Sequence, residues 1–163
     1  MLSQKFIELW PHSMQPSAHH FTVDQAISIL EADLPTLFER DLYYDLYATD
    51  IVFQDPINTF RGKVSYRLIF WALRFHSRLF FRTLQFDVHG VNPVESQSIR
   101  ADWTVRGTLR LPWQPQLDFG GYSLYRFNHQ GQIDYHRDVW ERSPKEIFQQ
   151  FWRRGQANKN PQP

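Results

Sequence analysis

The chain has 163 residues, of which 42% are hydrophobic and 17% aromatic, enough apolar material for one domain with a single core. Its 18 basic and 17 acidic residues leave a net charge of +1 with no long run of either sign, which argues against a nucleic-acid-binding or membrane-surface protein and favours a weakly charged small ligand. With no cysteine, disulfides, thiolate chemistry and cysteine-held metal centres are excluded.

The first twenty residues, MLSQKFIELWPHSMQPSAHH, lack the basic and apolar regions of a secretory signal and read as a flexible leader. No stretch approaches the roughly 20 apolar residues of a membrane span, so a cytoplasmic protein, or a stromal one if the source is a plant, is expected. His12, His19 and His20 fall in the leader without metal-ligand spacing, and neither a metal nor a cofactor is expected. The domain is expected over residues 21–155, followed by a disordered polar tail at 156–163.

Thr22 and Gln25 form a capping box ahead of Ile27, Leu30 and Leu34, which places a helix start at Thr22. Pro35 ends or kinks that helix, and Leu37 and Phe38 continue its apolar face. A short helical turn in DLYYDLYATDIVFQDP then leads to a brief strand, Ile51 to Gln54, closed by Pro56. In KVSYRLIFWALRFHSRL the residues Val64, Leu68, Trp71, Ala72 and Phe75 form one broad apolar helical face, with Arg67 and Arg74 on a wetter flank.

From Leu84 the apolar period changes to two. SIRADWTVRGTLRL alternates throughout, which describes a half-buried antiparallel strand so long that it must bend, with Gly107 as the expected bulge. LDFGGYSLYRFN follows, its Gly120–Gly121 pair expected opposite that bend, and NHQG is a hairpin turn into GQIDYHRDVW, where Asp134, His136, Asp138 and Trp140 alternate along one strand. Helices followed by four hairpin-connected strands give an α+β fold with helices on one face of a curved antiparallel sheet.

YDLYATDIVFQDPINTFRGKVSY supplies Tyr44, Tyr47, Asp50, Phe53, Asp55, Pro56, Phe60, Gly62 and Tyr66. Later segments add Trp103, Gly107, Thr108, Leu111, Pro112, Trp113, Gly121, His136, Asp138 and Trp140. On these residues, across 22–142, the chain resembles the NTF2-like (SnoaL-like) superfamily, and within it the uncharacterised DUF2358 family of cyanobacteria and plant plastids. The resemblance implies a cone with a pocket between the sheet and the helices; it implies no activity.

His136 and Asp138 lie about 6.6–6.8 Å apart along one strand face, close enough for an imidazole held by a carboxylate to act as a general base. Asp55 can enter the same cavity, and Tyr44 and Tyr47 can donate hydroxyls to an oxyanion. Such Asp, His and Tyr groups serve the superfamily's isomerising, dehydrating and hydrolysing enzymes. Phe53, Trp71, Trp103, Tyr122 and Trp140 complete the expected ligand contacts. Plainer roles stand beside these: His136 and Asp138 pairing with Arg126 or Arg106 across strands, Asp55 as a turn residue, and the aromatics as core. The Arg100, Arg106 and Arg110 row is either a solvated face or, with Asp102, a two-fold dimer contact. No phosphate loop, Ser-His-Asp order or HExxH spacing is present. An unidentified small molecule is therefore the expected partner. The alternative is a non-catalytic scaffold, dimeric through its sheet face and presenting Leu111, Trp113 and Phe148 as an apolar patch.

Overall fold

A computed structural model describes residues 20–95 and 97–152. The expected tail, the leader apart from His20, and His12 and His19 lie outside the described residues.

The chain begins as a helix because its first amides are satisfied in both directions: the Thr22 hydroxyl accepts from Gln25 N, and the Gln25 side chain accepts from Thr22 N. This helix, α1 (Val23–Asp33), stops where Pro35 removes a donor, and the chain tightens into a 3-10 turn at Leu34–Thr36. A second such turn, Tyr44–Leu46, leads into β1 (Tyr47–Gln54), which pairs with β2 (Thr59–Arg61). After α2 (Lys63–Phe80) come β3 (Phe81–Glu95), β4 (Ser98–Leu109), β5 (Gln116–Phe127) and β6 (Ile133–Trp140), then α3 (Pro144–Gln149) and a 3-10 turn at Gln150–Trp152.

The α+β cone is present, but its sheet is larger than expected and mixed. Its six strands run β2-β1-β6-β5-β4-β3, and β1 lies parallel to β6. The first strand is longer than Ile51–Gln54 because Tyr47 already pairs with Ile133. Such long-range pairing leaves no local signal. The helices cover the concave side, α1 and its following turn against β3, and α2 against β1 and β3.

The bend is also made differently. β4 pairs with β5 without interruption from Ser98 to Thr108, Gly107 included. The irregularities lie in β3, between Phe81 and Thr83, Val88 and Gly90, and Pro93 and Glu95, where extra residues curl the strand. Gly107 instead allows close approach, since a Cβ there would lie 2.7 Å from Leu84 Cδ1 and 2.9 Å from Thr83 O. Gly120 and Gly121 pair with Thr104 and Trp103 rather than opposite Gly107.

The orientation of α2 is the reverse of that read from sequence. Its buried residues are Tyr66, Phe70, Arg74 and Ser77, while Val64, Leu68, Trp71 and Phe75 face outward. The helix is apolar on both sides, so periodicity alone could not choose between them. Arg74, expected on the wet flank, is buried and paired with Asp41.

Candidate functional site

β6 carries the polar end of the site, and a register shift in its pairing with β5 sets the phase. The shift falls between Arg126 and Phe127, so Ile133 and His136, three residues apart, both point inward. Asp134 is displaced from the row it shares in sequence with His136, Asp138 and Trp140, and its carboxylate pairs with Arg126, Nε to Oδ1 3.0 Å. The last three residues line a cavity of about 270 Å³ between the concave sheet and the helices. Phe53, Phe70, Trp103, Phe119 and Tyr125 are among its other walls, and the partly exposed Leu73 and Phe148 mark its mouth.

Five side chains hold the inner end in one hydrogen-bonded line. The Trp103 indole N–H donates to Ser123 Oγ at 2.9 Å, and the Ser123 hydroxyl donates to Asp138 Oδ1 at 2.5 Å. His136 Nε2 lies 2.9 Å from the same oxygen, and His136 Nδ1 lies 2.8 Å from the Tyr66 hydroxyl. A carboxylate can only accept, so in the neutral imidazole the proton sits on Nε2 and Nδ1 accepts from Tyr66. Rings fix the imidazole: Tyr125 stacks at 4.3 Å between centroids, and Phe53 meets it edge-on at 4.9 Å.

Both bonds to Asp138 end on Oδ1. Oδ2 has no partner among the described residues, in a side chain that keeps 20% of its exposure. Trp140, next on the same strand face, leaves its indole N–H unpaired among those residues. The expected arginine partners are engaged elsewhere. Arg126 holds Asp134, and Arg106 holds Asp87 at 2.7 Å and approaches Asp118 at 3.9 Å.

The remaining candidates divide. Asp55 lines the cavity, but its Oδ1 accepts from Ile57 N at 2.7 Å and Asn58 N at 2.6 Å, the work of a turn residue. Phe53, Trp103 and Trp140 line the cavity. Four expected contacts do not. Trp71 faces outward from α2, and Tyr122 lies on the convex sheet face beneath the Arg100 guanidinium, 3.8 Å from its ring centroid. Tyr44 and Tyr47 sit behind the cavity wall, where Tyr47 packs 4.8 Å from Tyr66. The hydroxyl of Tyr47 lies beside Tyr66 and that of Tyr125 beside Ser123, neither in hydrogen-bonding geometry. Burial raises the pKa of Tyr47, Tyr66 and Tyr125 well above the ordinary value and keeps them protonated. The Arg100 row pairs within the chain, Arg100 to Asp102 at 2.7 Å, while Arg110 Nε donates to Phe81 O. Ser123 and Tyr66 were not read as site residues, since cross-strand register and the inner face of α2 place them there. Among the described residues no three His, Asp or Glu side chains gather as a metal site.

A bent sheet wrapped round by helices, with an apolar cavity that opens at one mouth and a carboxylate on its wall, is the NTF2-like cone. A family model described as "Uncharacterized conserved protein (DUF2358)" matches residues 24–136, and the chain belongs to that family. Solved structures are similar in fold. An NTF2-like protein from Anabaena variabilis shares 14% identity at a TM-score of 0.56, covering 83% of this chain and 98% of its own. The epoxide hydrolase/cyclase-like enzyme SalBIII, of pyran ring formation in salinomycin, shares 14% at 0.56 over 72% and 92%. A proposed isomerase of the SnoaL-like family from Agrobacterium tumefaciens shares 17% at 0.53 over 73% and 99%. No curated protein matches the sequence.

Proposed function

We propose that the protein binds a small, mostly apolar molecule in the cone and presents Asp138 Oδ2 to it as a proton or hydrogen-bond acceptor. The observation that carries this reading is the unpartnered Oδ2 of Asp138, among the described residues, in a cavity walled mostly by rings and aliphatic chains; the other carboxylate on the wall, Asp55, is tied through its Oδ1 to the amides of its own turn. A carboxylate taken from water is costly unless something uses it, and Ser123 and His136 fix its position without occupying its second oxygen. The volume, about 270 Å³, lies just below the usual range for ligand pockets and suits a small molecule. The chemistry that fits is proton abstraction from carbon or from a water, the isomerase, dehydratase or hydrolase type. Two fold relatives bear such names, one an epoxide hydrolase/cyclase-like enzyme and the other a proposed isomerase. The scaffold alternative has less support, because the cone is not filled and the convex-face charges are paired within the chain.

Thermal unfolding with a panel of small apolar ketones, lactones and epoxides tests the proposal. A true ligand at about a hundred times its Kd stabilises the protein by about 2.7 kcal/mol. Asp138→Asn should remove that gain while leaving the unliganded Tm nearly unchanged, since the amide oxygen still accepts from Ser123 and His136. A large drop in unliganded Tm, or no stabilisation of the wild type by the panel or by a metabolite extract, overturns it.

A further inference from the structure

The outward side of α2 is apolar although nothing in the chain described covers it. Val64 is 82% exposed, and Leu68, Trp71, Phe75 and Leu79 are each more than half exposed. Their spacing of three and four residues sets them in one stripe along an 18-residue helix, about 27 Å long at 1.5 Å per residue. Trp71 and Phe75 lie flat on each other, 5.6 Å between centroids and 9° between planes.

The helix that carries this stripe has charges of one sign, with Asp41 and Glu39 of the preceding segment against one edge of it. From Pro56 to Phe86 the chain holds six of its 18 basic residues, Arg61, Lys63, Arg67, Arg74, Arg78 and Arg82, and none of its 17 acidic ones. Arg74 turns inward to Asp41, whereas Arg61, Arg67, Arg78 and Arg82 are exposed, Arg67 lying over the Tyr44 ring at 4.9 Å and Arg78 donating to Glu39 O at 2.9 Å. By helical geometry Arg67 and Arg78 border the apolar stripe along one edge, and Arg61 and Arg82 stand in the chain just before and just after the helix. The chain's net charge of +1 averages this sector away, which is why composition alone argued against a membrane.

We propose that this face of α2 docks the protein on an anionic lipid surface, the five apolar side chains entering the headgroup boundary and the four exposed arginines meeting the anionic headgroups. A helix with Trp, Phe and Leu on one side and cations at its border is suited to lie in the plane of a bilayer interface. Indole and phenyl rings also favour that depth. A second copy fits less well, because the stripe carries no carboxylate to answer the arginines that two such faces would bring together. The inner side of the same helix lines the cavity through Ile69, Phe70 and Leu73, so docking holds the pocket about one helix diameter, ~10 Å, from lipid.

Co-sedimentation of the full chain with vesicles tests this, comparing phosphatidylcholine alone with phosphatidylcholine containing about 30% phosphatidylglycerol. The expected result is at least about tenfold stronger binding to the anionic vesicles, lost between about 0.1 and 1 M salt. Both Leu68→Ser/Phe75→Ser and Arg61→Glu/Arg82→Glu should lower that binding about tenfold with Tm nearly unchanged, because all four residues are exposed. Three results overturn the proposal: equal recovery in the supernatant with both vesicles, pelleting indifferent to both double variants, or a dimer by sedimentation that Leu68→Ser/Phe75→Ser dissolves while vesicles bind nothing.

Discussion

Tyr66→Phe isolates one link of the buried relay. Tyr66 is 1% exposed, and its ring is held by Tyr47 and Phe70, both at 4.8 Å between centroids, so phenylalanine keeps the packing and loses only the hydroxyl. The loss removes the partner 2.8 Å from His136 Nδ1, on an imidazole that is 3% exposed and whose other nitrogen is already committed to Asp138. A buried acceptor left without a donor costs about 1–3 kcal/mol, offset in part by no longer burying a hydroxyl, so the net should be about 1–2 kcal/mol. For a chain of this size that corresponds to a Tm lowered by about 2–8 °C. Urea unfolding with an unchanged m-value is the measurement, since equal slopes show that the unfolded ensemble has not altered. In a double-mutant cycle with Asp138→Asn the two changes should be non-additive, His136 being shared between them. A variant within about 0.3 kcal/mol of wild type, additive with Asp138→Asn, refutes the relay, because Nδ1 must then find another donor.

Gly121→Ala should destabilise by about 1–3 kcal/mol or more, as the new Cβ would lie 2.5 Å from Val139 O, which is backbone, and 2.6 Å from Trp103 Cη2. Calorimetry checks it, and an unchanged Tm would show that the Trp103 wall of the cavity is looser than described. The alkaline limb follows from the buried tyrosines. Burial raises Tyr47, Tyr66 and Tyr125 in the folded state, while in the unfolded chain they ionise near about 10. The stability they lend is therefore complete below about pH 10 and is lost as pH rises from there toward their folded values. Phenolate absorbance from these three should appear together with loss of the circular dichroism of the fold, and full tyrosine titration with the fold intact would contradict it.

What could be read from sequence was whatever short-range chemistry decides. The Thr22–Gln25 capping box, the break at Pro35 and the alternation from Ser98 through Leu109 each depend on residues a few positions apart, and each is present. The NHQG turn is likewise local: Asn128 Oδ1 accepts from Gln130 N and Gln132 N, and Gly131 takes φ 72°. Register and facing were not legible. Nothing local pairs β1 with β6 in parallel, and nothing in KVSYRLIFWALRFHSRL tells which of its two apolar sides is inward. The errors at the site follow from those two facts. Reversing α2 removes Trp71 from the cavity and brings in Phe70, with Tyr66 behind the imidazole, and one register shift in β6 separates Asp134 from His136.

The two faces of the sheet show why the last strand is the place to look. On the convex side Arg100 meets Asp102, Arg106 meets Asp87, and Arg126 meets Asp134, with Tyr122 and Tyr135 lying under Arg100 and Arg126. Exposed pairs of this kind contribute little to stability and leave no charge calling for a partner. The concave side differs: few polar atoms, most of them bonded to one another, within a largely aromatic wall. A fold seeking stability alone could do as well with apolar residues of similar volume in place of the whole Ser123–Asp138–His136 set, whereas an aliphatic residue at 138 alone would strand the buried Ser123 hydroxyl and His136 Nε2–H. Retaining a carboxylate, and holding it by one oxygen from Ser123 and His136, accords with the proposed use of that group on a molecule entering the cone.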